Sequence, residues 1–89
     1  MWYTYLLQCT KGLYCGITID VNRREIEHNT PSKQALSVRM LGTPAVMVYC
    51  EEHPDRKSAA KREYAIKQLK RTTKLELITS ELNVISKFK

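Results

Sequence analysis

Nowhere does this 89-residue chain carry an apolar run approaching the roughly 20 residues that a bilayer-spanning helix needs. Nor does its N-terminus set a charged region before an apolar core and a cleavage site, as a secretory leader would. The chain is therefore read as complete, intracellular and not secreted. Cysteine is scarce: Cys9, Cys15 and Cys50 are odd in number, show no Cys-x-x-Cys spacing and sit in apolar stretches. That argues against a disulfide framework or a structural zinc site and for small buried thiols. With only three prolines and three glycines there are no linkers, repeats or low-complexity tracts. One domain spanning residues 1–89 follows, with room for a single modest core.

Negative charge is also in short supply, with nine acidic side chains against fifteen lysines and arginines, a net charge of +6 and a pI near 9.4. The distribution matters more than the total. Between Arg56 and Lys74 stand Arg56, Lys57, Lys61, Arg62, Lys67, Lys70, Arg71 and Lys74, with Glu63 as the only acid. A helix of one sign repels itself unless phosphates are near, so two readings are open: a phosphate-contacting surface or a merely solvated face.

What is present is a hairpin feeding a helix. Trp2 to Cys9 and Leu13 to Thr18 are rich in aromatic and β-favouring residues and are separated by Thr10-Lys11-Gly12, which predicts two antiparallel strands. A loop of Cys9 to Gly12 sets Gln8 opposite Leu13 and Tyr5 opposite Gly16. Tyr14 then lies diagonal to Tyr5, roughly 7 Å away, and Gly16 offers no side chain to fill the space beside Tyr5. The tyrosines are either amphipathic core residues with hydroxyls at the rim or members of a site.

Asp20 is a fair N-cap for a helix from Val21 to about His28. On it Val21, Arg24 and His28 share one face. Arg24 beside an apolar anchor must find a partner or a ligand; Glu25 and Glu27 are the near partners. His28 is either a helix-end cap or a titratable group with an intrinsic pKa suited to proton transfer. Asn29 to Thr43 reads as a loop with a short helical turn near Gln34 to Met40, and Pro44 to Tyr49 as a buried third strand ended by Glu51-Glu52-His53-Pro54. His53 reads as a surface loop residue. Asp55 or Ser58 caps the main helix, whose stripe of Ala59, Ile66 and Leu69 puts Glu63 at the edge facing the sheet. A half-buried carboxylate there needs a neighbouring lysine or arginine, or a divalent metal. Thr73-x-x-Glu76 resembles a capping box for a last helix carrying Leu75, Leu77, Ile78 and Leu82. The tail from Val84 carries no signal. The predicted fold class is α+β, a three-stranded antiparallel sheet flanked by helices in the order β-β-α-β-α-α.

Taken together, Tyr3-Thr4-Tyr5 running into Leu6-Leu7, Tyr14-Cys15-Gly16 running into Ile17-Thr18, Asp20-Val21-Asn22-Arg23-Arg24-x-x-Glu27-His28-Asn29, Glu52-x-Pro54-Asp55-Arg56 and Arg62-Glu63-Tyr64-Ala65-Ile66-Lys67-x-Leu69 resemble the GIY-YIG nuclease domain, in its small single-domain branch. The likeness covers nearly the whole chain. Against the family's pattern it has Thr4 with no leading glycine, Cys15 at the middle of the second signature, and a loop from Lys33 to Arg39 without a tyrosine.

The resemblance implies cleavage of phosphodiester bonds with one divalent ion, Mg²⁺ or Mn²⁺. It implies Tyr5 and Tyr14 as the signature tyrosines, with Tyr14 or His28 helping to deprotonate the attacking water. Arg24 would meet the charge on the phosphate and Glu63 would hold the metal. Lys33, Arg39, Lys61, Arg62, Lys67, Lys70 and Arg71 are the candidate contacts to nucleic acid. The expected partner is DNA, with branched or irregular structures as candidate substrates and RNA left open, and the expected location is the cytoplasm or nucleoid. The competing readings are a catalytically silent nucleic-acid-binding module using the face of residues 56 to 74, and an adaptor for an acidic protein.

Overall fold

A computed structural model describes all residues, Met1–Lys89. Strands β1 (Trp2–Gln8), β2 (Leu13–Thr18) and β3 (Val46–His53) form an antiparallel sheet in the order β2-β1-β3. Helices α1 (Val21–His28), α2 (Leu36–Leu41), α3 (Arg56–Lys67) and α4 (Arg71–Ile78) flank it, and a 3-10 turn at Ile85–Lys87 ends the chain. The predicted class and order of elements hold, with the short helical turn expected near Gln34 to Met40 present as α2.

β1 is central and both of its faces are covered, so Thr4 to Leu7 are buried without interruption rather than in alternation. One face carries Tyr5, Leu7, Met47 and Cys50 against Val21 of α1 and Val38 of α2. The other carries Leu6, Cys15 and Tyr49 against Ile66 of α3, with Leu77 and Ile78 of α4 beside them. Each fully buried leucine here is worth about 1.5–3 kcal/mol. Thr4 and Cys15, the two departures from the family's signatures, both point toward α3: the Thr4 hydroxyl donates to the Ala59 carbonyl at 2.9 Å, and the Cys15 thiol faces the Glu63 carbonyl at 4.0 Å. Both departures thus fall in the α3 layer and not on the tyrosine face. All three cysteines are buried and unbonded.

The hairpin register is the one the four-residue loop requires, with Gln8 opposite Leu13 and Tyr5 opposite Gly16. Asp20 caps α1, accepting from the Arg23 amide, and Asp55 caps α3, accepting from the Ser58 amide. Asn29 then fastens the end of α1 to the start of β3: its amide donates to the Ala45 carbonyl and its oxygen accepts from the Ala45 N–H, both at 2.8 Å. Glu25 adds a bond from the Met47 amide at 2.6 Å. These side chains set the angle at which α1 lies over the tyrosine face.

Three local expectations change. β3 does not stop at Tyr49 but runs to His53, because Glu51, Glu52 and His53 pair with Thr4, Tyr3 and Trp2 across a bulge at Leu6/Leu7. The Thr73-x-x-Glu76 capping box is not used: α4 starts earlier, at Arg71, and has no side-chain cap. The C-terminal tail is structural. Asn83 imitates a strand neighbour, accepting from the Cys50 N–H at 3.2 Å and donating to the Val48 carbonyl at 2.9 Å, so the outer edge of β3 is covered. Phe88 then stacks edge-on against Tyr3 at 5.3 Å.

Candidate active site

The site begins with a missing side chain. A Cβ on Gly16 would come within 2.5 Å of the Tyr5 hydroxyl and 2.7 Å of its ring carbon Cζ, so the phenol of Tyr5 lies against bare backbone of β2. The ring is thereby held flat and fully buried, and Tyr14, one pleat along β2, stands beside it with ring centroids 6.4 Å apart. From the helix side His28 reaches under both rings. Its Nε2 is 2.7 Å from the Tyr5 Oη and its ring meets that of Tyr14 edge-on at 5.3 Å. Arg24, one turn earlier on α1, extends beside the Tyr5 hydroxyl and pairs with Glu27 at 3.2 Å. Of the two near carboxylates, Glu27 is its partner, while Glu25 is engaged by the Met47 amide and Lys89.

The cluster has two tiers. Tyr5 and His28 are closed to solvent, whereas Tyr14 is half-buried and the Arg24 side chain is 33% exposed. Only the upper tier meets solvent. Burial sets the protonation below it: desolvation, with the Arg24 charge adding to it, pushes His28 down from 6.5 to about 4, only partly offset by Glu27. Burial likewise drives the Tyr5 hydroxyl well above the usual phenol range, against the pull of Arg24. At neutral pH the pair is therefore uncharged, a phenol and an imidazole, beneath a permanent guanidinium. Nδ1 of His28 has no protein partner. A lone pair left without a partner costs less than a buried N–H, which favours the tautomer whose Nε2–H donates to Tyr5. His28 is not the helix-end cap that its position suggests.

Glu63 lies on α3, across the sheet from this cluster. Its carboxylate pairs with Lys67 at 3.3 Å and it makes no hydrogen bond to Tyr5, Tyr14, Arg24 or His28. No three His, Cys, Asp or Glu side chains gather as a ready metal cage. The tyrosines, Arg24 and His28 thus converge, and Glu63, on the helix that packs on the other face, makes no ion pair or hydrogen bond with any of them.

The candidate nucleic-acid contacts divide by what already holds them. Lys33, Lys61, Lys70 and Arg71 are exposed. Lys67 is tied to Glu63, and Arg39 braces its own loop through the Pro31 carbonyl at 3.0 Å. Arg62 is the most committed. Its Nε bonds both oxygens of Glu51, at 3.1 and 3.0 Å, and that nearly buried carboxylate also accepts from the Tyr49 hydroxyl and bonds Nε2 of His53 at 2.8 Å. His53 is consequently no surface loop residue but the last residue of β3. Tyr49, Glu51 and His53 share one face of that strand by their period of two, a signal hidden from the sequence by ending the strand at Tyr49.

Comparison with known proteins places the family and the fold. The chain is 47% identical over 78 residues to a UPF0213 protein of Desulfotalea psychrophila, covering 86% of this chain and 70% of that protein. It is 42% identical over 82 residues to one of Yersinia enterocolitica, covering 91% and 82%. The solution NMR structure of a UPF0213 protein from Bacillus halodurans superposes with a TM-score of 0.57 at 32% identity, covering all of this chain and 95% of that one. Those names state no activity. The GIY-YIG catalytic domain, however, matches residues 1–76, a span that contains both tyrosines, Arg24, His28 and Glu63. The chain belongs to the GIY-YIG catalytic-domain family, whose function is of the nuclease type.

Proposed function

We propose that this chain is a divalent-metal-dependent endonuclease that hydrolyses phosphodiester bonds in DNA, branched, flapped or otherwise irregular structures included. The observation that carries the reading is the convergence of Arg24 with Tyr5, Tyr14 and His28 on one sheet face. Hydrolysis at phosphorus adds negative charge to the equatorial oxygens, and a preorganised guanidinium in a partly dry site meets that charge without reorganising. Glu27 holds Arg24 through Nη1 at 3.2 Å, beside the Tyr5 hydroxyl, while the buried Nε has no partner in the protein. Tyr5 and His28 act through Arg24 and Tyr14 as positioning residues, since neither reaches solvent. Of the two candidates for helping to deprotonate water, Tyr14 is the one within reach of it.

Glu63 is the candidate metal ligand. A lone carboxylate, its side chain 25% exposed, suits Mg²⁺ or Mn²⁺, which take oxygen donors and keep several waters, and does not suit zinc. When bound, such an ion would supply charge neutralisation to a phosphate lying beside Glu63. Lys67, its ion-pair partner, would give up that pairing.

Glu63, paired with Lys67 and unbonded to the tyrosine cluster, favours one second reading, a nucleic-acid-binding module without turnover. The two are separated by incubating plasmid, flap, junction and hairpin substrates with Mg²⁺ or Mn²⁺, with Glu63→Ala as control. The endonuclease reading expects metal-dependent cleavage of at least one substrate by the wild type and none by Glu63→Ala. Binding without cleavage across the panel would leave the module reading in its place.

A further inference from the structure

On the outer face of α3, away from both cores, Arg56, Lys57, Ala60, Lys61 and Tyr64 line a shallow surface concavity. Tyr64 is 70% exposed and belongs to neither hydrophobic cluster, so the fold gives this ring no packing role. Its neighbours follow from helical spacing. Lys61 and Ala60 lie one turn back and Lys57 two turns back, which sets two ammonium groups along one flank of the ring and leaves open space over the small Ala60. At the N-terminal end Arg56 stacks its guanidinium over the Trp2 ring, 5.8 Å from the centroid. No acidic side chain lines the concavity, and none of these three cations makes an ion pair. This differs from Arg62 and Lys67 on the same helix, whose charges are spent on Glu51 and Glu63.

We propose that this face grips single-stranded nucleic acid, with an unpaired base stacked on Tyr64 and the adjoining phosphates on Lys57, Lys61 and Arg56. An exposed aromatic ring interleaved with uncommitted cations is the combination that holds single strands, because every base offers a π-face and the backbone offers charge. Paired bases in a duplex have no face to give, so the ring adds nothing to duplex binding. The proposal rests on the nucleic-acid reading above and deepens it: the grip holds an unpaired strand next to the duplex portion of a branched substrate, on the opposite face of the sheet from the tyrosines.

The test is fluorescence anisotropy in EDTA, where nothing is cleaved, using a labelled 12-nucleotide oligothymidine and a blunt duplex of the same length. Wild type is expected to prefer the single strand. Tyr64→Ala is expected to weaken single-strand binding about tenfold with the duplex unaffected, and Tyr64→Trp to retain it. Lys57→Ala combined with Lys61→Ala is expected to weaken both ligands and flatten the salt dependence, by about 0.7 in slope for each lost contact to a single strand. Equal single-strand affinity in wild type and Tyr64→Ala overturns the proposal, as does equal competition by polyglutamate and by unlabelled oligothymidine. Because binding is read in EDTA, where no cleavage occurs, failure of the nuclease reading leaves this result standing, and failure of the grip leaves cleavage intact.

Discussion

The Tyr5 hydroxyl and the His28 imidazole meet at 2.7 Å with both side chains closed to solvent, one from the middle strand and one from the last turn of α1. This contact joins the sheet to the helix that carries Arg24, and burial together with the Arg24 charge keeps the imidazole neutral there.

A pH dependence of stability follows. His28 titrates at about 4 in the folded chain against 6.5 ordinarily, so between those values the unfolded state binds the extra proton. The stability conferred by the neutral imidazole is fully present above pH 6.5 and is lost as pH falls toward 4, up to about 3 kcal/mol in total. Urea denaturation at a series of pH values should show this decline in wild type and a flatter profile in His28→Gln. An unchanged slope in the variant would contradict the assignment.

Gly16→Ala should cost about 1–3 kcal/mol, because the new methyl meets the Tyr5 phenol rather than a flexible chain end. The cost should shrink in a Tyr5→Leu background, a non-additivity read from a double-mutant cycle in thermal or urea unfolding. Additive losses would mean that Gly16 serves the strand and not the ring.

That seat was legible before any coordinates: strand parity together with a four-residue loop put Tyr5 opposite Gly16 and Tyr14 on the diagonal. The spacing of Val21, Arg24 and His28 likewise put the arginine and the histidine on the buried side of their helix. What stayed hidden depends on distant partners. Nothing local tells Glu51 that Arg62 will come to it, or Asn83 that it will complete the edge of β3. The depth of His28, and the placement of Glu63 across the sheet, follow from how α1 and α3 stack on opposite faces, which periodicity within one helix does not report.

Arg62→Ala should destabilise the fold by about 1–3 kcal/mol, since it strips two hydrogen bonds from the nearly buried carboxylate of Glu51. Lys61→Ala, one residue away and exposed, should leave the melting temperature unchanged. Comparing the two by thermal melting separates the structural cation of α3 from its surface neighbour. Equal melting of both variants would refute the distinction.

Asn83→Ala should cost about 2–3 kcal/mol, because one side chain serves the Cys50 and Ile85 amides and the Val48 and Ile78 carbonyls. Hydrogen exchange should then rise along the outer edge of β3 while the β1–β2 ladder stays protected. Uniform loss of protection, or none, would show that the tail is not what covers that edge.

The central claim is that Arg24, paired with Glu27 beside the buried tyrosine, is the group that meets the phosphate. Its most direct test is the single-turnover rate of Mn²⁺-dependent cleavage by Arg24→Ala, at saturating protein and beside a melting curve. The expected result is a loss of about 10²- to 10³-fold with the cooperative melting transition retained; cleavage at the wild-type rate would contradict it.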